Sequence, residues 1–194
     1  MKKTRIIGDI HGKLNEYTEI IKGAERSIQV GDFGMGFIKE LPQFDASHRF
    51  IRGNHDSPEV CKNNPNWIPD GTVENDVMFI GGAWSIDWKY RTPGISWWHD
   101  EECSMEQFDI FCEKYREIKP RVMITHDAPI GAIMKMFKPA SLYQAKTQLF
   151  FEHILDIHSP QIWIFGHWHI DTTCIYKNTA FVCLGELSYT DIDL

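Results

Sequence analysis

The chain has 194 residues, 43% of them hydrophobic and 13% aromatic, with a formal net charge of −7. That length fits one domain with a sizeable core, and charge scattered through an aromatic-rich chain excludes disorder. The acidic balance argues against a sequence-independent binder of long nucleic acid, which needs a basic field, although bound divalent cations can reverse the sign inside a pocket.

In chain order, Thr4 to Ile7 reads as a buried strand, too short for a signal-peptide core. Leu14, Tyr17 and Ile20 or Ile21 follow at helical spacing, and Ile28 to Val30 returns to strand, so the chain begins β-α-β. Further strands are expected at Phe50 to Ile51, Val77 to Ile80, Val122 to Thr125, Ile162 to Phe165 and Ala180 to Leu184. Capping boxes, Ser104 with Gln107 and Ser141 with Gln144, place helices near 105–118 and 142–157. Between them and the early strands, residues 84–102 carry Trp84, Trp88, Trp97 and Trp98 without periodicity, and read as a long ordered insertion. It serves either as a lid or substrate wall, or as a second small core.

Five cysteines, odd in number and without a CxxC pair, fit reduced thiols rather than a disulfide framework. No apolar run approaches the roughly 20 residues needed to span a bilayer. The expectation is one soluble domain over 1–194, working in the cytoplasm without a membrane partner; oligomeric state is not legible.

Five apolar runs end in a small residue followed by side chains able to bind metal: Gly8-Asp9-Ile10-His11, Gly31-Asp32, Gly53-Asn54-His55, Thr125-His126 and Gly166-His167-Trp168-His169. Parallel strands present their carboxyl ends to a common crevice, which would gather these residues. Asp9-x-His11 and His167-x-His169 would each aim two ligands to one side if locally extended. Singly, an Asp after Gly is an ordinary turn former and a His an ordinary polar residue; in this order at strand ends they form a metal-site pattern. Carboxylate, amide and imidazole without thiolate suit Mn²⁺, the working choice, or Fe²⁺, Zn²⁺ or Ni²⁺.

These motifs resemble the calcineurin-like metallophosphoesterases, whose GD-x-H, GD, GNH-D/E, H and GH-x-H pattern is matched by Asp9-x-His11, Asp32, Asn54-His55-Asp56, His126 and His167-x-His169. The resemblance implies an α/β fold, a four-layer αββα sandwich of two mixed β-sheets flanked by helices. It also implies two divalent ions, one held by Asp9, His11, Asp32 and His169, the other by Asp32, Asn54, His126 and His167. It further implies hydrolysis of phosphoesters by a metal-bridging hydroxide, with His55 protonating the leaving alkoxide. The Ser/Thr phosphatase continuation GD-x-x-DRG is absent after Asp32, and Met35 stands where purple acid phosphatases carry a tyrosine ligand. His55 is retained, so monoesters and diesters both stay open. The stretch from Gly81 to Trp98 is similar to a subgroup of uncharacterised bacterial and phage metallophosphoesterases.

Arg91 in the loop is a candidate phosphate clamp, against its plainer reading as a solvated cation. Trp168, between two candidate ligands, is a candidate platform for a nucleobase, as are Trp97 and Trp98. Small phosphoesters, nucleotides or cyclic nucleotides among them, are the expected substrates. The alternatives are a non-catalytic protein-binding scaffold using the Trp-rich loop, and a small protein phosphatase.

Overall fold

Ile6 and Ile7 are neighbours on one strand yet pack into different cores, and this alternation sets the layers. The computed structural model describes residues 3–38, 44–138 and 145–194. In the first sheet, β1 (Lys3–Ile7), β2 (Ser27–Gln29) and β3 (His48–Phe50) run parallel, and β10 (Tyr189–Asp193) pairs antiparallel with β1, giving the order β10-β1-β2-β3. The second sheet has β5 (Val77–Ile80), β6 (Val122–Thr125), β7 (Ile162–Phe165) and β9 (Thr179–Cys183) parallel. Antiparallel β4 (Thr72–Glu74) and β8 (Thr172–Tyr176) form its edges, in the order β4-β5-β6-β7-β9-β8.

Ile6 and Ile28 of the first sheet, with Val30 and Ile51 just past the ends of β2 and β3, pack with Val77, Phe79, Val122, Ile124 and Ile164 of the second, forming the core between sheets. The opposite face of the first sheet, with Ile7 and Phe50, is covered by Tyr17 of α1 (Leu14–Ile21) and Cys61 of α2 (Pro58–Lys62). The outer face of the second sheet, with Met78, Met123, Trp163 and Phe165, is covered by α3 (Met105–Ile118), α4 (Ile130–Phe137) and α5 (Lys146–Ile157). The result is the αββα sandwich. Burying apolar faces at about 25 cal/mol per Å² makes these three clusters the main source of stability.

The expected strands fall within about two residues of those observed, and α3 begins where its capping box puts it. Gln107 N donates to Ser104 Oγ at 3.2 Å and Ser104 N to Gln107 Oε1 at 2.8 Å. The second box, Ser141 with Gln144, lies outside the described residues; the described helix there starts at Lys146. The short α2, α4 and the antiparallel edges β4, β8 and β10 were not anticipated from patterning. Residues 84–102 are loop apart from a single 3₁₀ turn at Trp88–Tyr90. No helix among the described residues is long and apolar enough to cross a membrane.

Candidate metal centre

The candidate ligands come from the carboxyl ends of parallel strands in both sheets: Asp9 and His11 follow β1, Asp32 follows β2, Asn54 and His55 follow β3, His126 follows β6, and His167 and His169 follow β7. The backbone there is not extended, as the x-spaced pairs suggested. His11, Asp32, His167 and His169 have φ of 46°, 56°, 67° and 52°, the left-handed region where a Cβ crowds the carbonyl. Such strain persists only where surroundings over-determine it. His11 N donates to Asp32 O at 2.8 Å, His55 N to Asp32 Oδ1 at 2.8 Å, and His167 N to Asp9 Oδ1 at 3.1 Å. Gly53 is required by this crowding, since a Cβ on it would sit 2.0 Å from Asp32 Oδ1.

Two groups of donor atoms result, each with its atoms within 4.8 Å of one another: Asp9, His11, Asp32 and His169, and Asp32, His126 and His167. Asp32 is common to both. In the first, the Nε2 atoms of His11 and His169 face each other at 2.9 Å, with Asp9 Oδ2 at 3.0 Å from His169 Nε2. In the second, His126 Nδ1 donates to Val30 O at 2.8 Å, which turns Nε2 toward Asn54 Oδ1 at 3.0 Å and Asp32 Oδ2 at 3.5 Å. Acceptor atoms converging this closely need positive charge among them, either a proton on imidazole or a divalent cation. The nitrogen and oxygen donor set, free of thiolate, fits such a cation.

The electrostatics follow. Burial alone would raise the Asp32 carboxyl, but the histidines around it, His126 first, hold it far below the usual range. Burial would lower His126, and the charge of Asp32 outweighs it and lifts the imidazole to about 10. His169 is raised by its hydrogen bond to Asp9, whereas burial lowers His167.

Three further residues, Asp56, Ser85 and Glu101, organise the centre without being candidate ligands. The buried carboxylate of Asp56 accepts from the amides of Phe33, Gly34, Met35 and Gly53 at 2.7–3.1 Å, joining the loops after β2 and β3. Asp56 is the last residue of the Asn54-His55-Asp56 motif, and this bracing of the two loops is the role the structure gives it. Ser85 and Glu101 form a buried hydrogen-bonded pair leading to Asn54 Nδ2. Sixteen residues apart within an aperiodic loop, they could not be paired from sequence. Burial raises the Glu101 carboxyl, and hydrogen bonds from Ser85 oppose this.

Beside the donor groups lies a cavity of about 450 Å³. Its polar end includes Asp32, Asn54, His55, Arg91, His167 and His169, and its apolar wall Trp84, Ile86, Ile133 and Trp168, with Gln148 among them. Arg91 is anchored by Asp87, its Nε donating to Oδ1 at 2.6 Å, and its terminal nitrogens lie 3.0 and 2.9 Å from Nδ1 and Nε2 of His55. Burial, with Arg91 contributing, pushes His55 down to about 4, against the opposing pull of Asp32. Trp168 stacks on Phe137 at 4.5 Å between centroids and donates from Nε1 to Asp127 Oδ1 at 3.1 Å, while Gln148 Nε2 holds Asp127 Oδ2 at 2.8 Å.

Trp97 and Trp98 do not line this cavity. Trp97 packs against Trp88 and His99, and Trp98 against Phe37. Of the insertion's tryptophans, Trp84 walls the cavity, Trp88 and Trp97 pack on each other within the loop, and Trp98 packs on Phe37 outside it. Arg52 is a buried ion-pair partner, its Nε donating to Asp70 Oδ2 at 2.7 Å.

The sequence profile described as calcineurin-like phosphoesterase matches residues 2–171. No curated protein matches the chain. Among solved structures, a Staphylococcus aureus protein assigned as a 5′-nucleotidase aligns with a TM-score of 0.58 at 14% identity, covering 96% of this chain and 49% of the other. This chain therefore spans about half the length of that protein. A conserved uncharacterised Streptococcus pneumoniae protein described as a predicted phosphoesterase aligns with a TM-score of 0.41 at 11% identity, covering 100% and 85% of the two chains.

Proposed function

The chain belongs to the calcineurin-like phosphoesterase family, and from that premise we propose that it hydrolyses small phosphomono- or phosphodiesters at a dinuclear centre. Mn²⁺ is the preferred ion, with Fe²⁺, Zn²⁺ and Ni²⁺ as alternatives. Asp9, His11, Asp32 and His169 hold one ion and Asp32, Asn54, His126 and His167 the other. The observation that carries this reading is the pair of donor groups sharing Asp32 at the edge of a cavity of about 450 Å³. Bound there, two divalent cations supply an activated water nucleophile and neutralise phosphate charge.

The chain's own residues do the rest. Arg91, pre-aimed by Asp87, offers its planar fork to a phosphate oxygen. His55 is neutral while Arg91 lies on it; an anionic phosphate arriving between them gives Arg91 a better partner and lets His55 hold the proton it passes to the leaving alkoxide. Trp168, fixed on Phe137, presents a rigid aromatic surface in the apolar wall. That wall suits an organic group with an apolar face, and nucleotides or cyclic nucleotides are the substrate class it favours.

The experiment is a panel assay with added Mn²⁺: bis-p-nitrophenyl phosphate, p-nitrophenyl phosphate, cyclic nucleotides and a phosphoserine peptide. Turnover of the small esters well above the peptide is expected. No hydrolysis of any small ester would refute the proposal, and preference for the peptide would make the protein phosphatase reading the better one.

A further inference from the structure

An asparagine can turn either end of its amide toward a cation, and only the oxygen can bind it. Asn54 Nδ2 lies 3.0 Å from Ser85 Oγ, and Oδ1 lies 3.0 Å from His126 Nε2. Ser85 Oγ donates to Glu101 Oε2 at 2.6 Å, and Ser85 N donates to Oε1 at 2.8 Å. A carboxylate only accepts, so the single hydroxyl hydrogen of Ser85 is committed to Glu101, and Ser85 Oγ has only lone pairs left for Asn54. The NH₂ end of Asn54 must then face Ser85, and the carbonyl oxygen must face the centre. Asn54, Ser85 and Glu101 are 2%, 1% and 3% exposed, so water offers no substitute for a misplaced hydrogen bond.

We propose that Ser85 and Glu101 are positioning residues that fix the Asn54 amide with its oxygen toward the His126 side of the centre. This rests on the dinuclear reading above. The backbone of Glu101 is itself held, because Arg52 Nη1 donates to Asp100 O and Glu101 O at 2.8 Å each, from a guanidinium anchored on Asp70. The next residue, Glu102, turns the other way and accepts from Thr147 N at 2.9 Å and Thr147 Oγ1 at 3.0 Å, at the start of α5, whose Gln148 lines the cavity. One short segment therefore orients an amide of the metal centre and anchors part of the substrate wall.

Glu101→Gln is nearly isosteric and breaks the logic. Glutamine cannot accept from both Ser85 groups; its NH₂ turns to Ser85 Oγ, the hydroxyl hydrogen is released toward Asn54, and the amide is free to flip. The test is calorimetric titration of metal-free protein with Mn²⁺ for the native chain, E101Q, S85A, N54A and N54A/E101Q, with melting of the metal-free forms as the check on folding. The native chain is expected to take two ions. E101Q should weaken one of them about 10- to 100-fold, leave the other unchanged, and add nothing on the N54A background. Native-like binding of both ions by E101Q, or the same loss with and without Asn54, would overturn the proposal. Should E101Q fail to fold, S85A, which removes one oxygen at the same link, is judged by the same outcomes. Fewer than two ions in the native chain would instead count against the dinuclear reading.

Discussion

Arg91 lies across the ring of His55, its Nη1 and Nη2 atoms 3.0 and 2.9 Å from Nδ1 and Nε2. Burial first, and the Arg91 cation after it, disfavour a charged imidazole against the opposing pull of Asp32, and His55 is pushed down to about 4. Arg91→Ala removes the cation and opens the ring to water, two changes of the same sign. His55 in metal-free protein should then rise toward the ordinary histidine value of about 6.5. Titration of its ring resonances by NMR reads this; a midpoint unmoved by the substitution would mean that Arg91 does not control His55.

His55→Ala separates proton donation from metal chemistry. An alkyl leaving group needs protonation, whereas p-nitrophenolate departs without it. The variant should lose roughly 100-fold or more on β-glycerophosphate and much less on p-nitrophenyl phosphate. Equal losses on both esters would remove His55 from the role of acid.

Gly53→Ala places a Cβ 2.0 Å from Asp32 Oδ1 and 2.2 Å from Asp32 N. Neither the buried carboxylate nor the backbone can retreat cheaply. Urea unfolding should show a loss of about 1–3 kcal/mol, with weaker Mn²⁺ binding. A variant with native stability and metal affinity would show that the turn after β3 is softer than its contacts imply.

Ser104→Ala tests a feature remote from the centre. Losing the cap of α3 should cost about 1 kcal/mol in urea unfolding and leave kcat/KM unchanged. A fall in activity would connect α3 to the site in a way its hydrogen bonds do not suggest.

What was legible follows from the range of the interactions involved. The buried parallel strands are continuous apolar runs such as Val122 to Thr125 and could be read directly, as could α3 from its local capping box. The edge strand β8 alternates exposed and half-buried residues, and β4 is half-buried throughout, so neither carries a strong apolar signal. The donor residues could be named because each follows a strand end within a few positions. Their left-handed backbone could not, because His11 N and His167 N are tied to Asp32 and Asp9, residues far away in the chain. Ser85, Glu101 and Gln148 escaped for the same reason: their roles arise from hydrogen bonds across the fold.

If Asp32 joins two metal sites, His126 belongs to only one of them. Manganese content per chain, by elemental analysis after reconstitution and removal of free metal, counts the sites. Two ions are expected in the native protein and one in His126→Ala. One or none in the native protein, or two retained in His126→Ala, would rule out a dinuclear centre shared at Asp32.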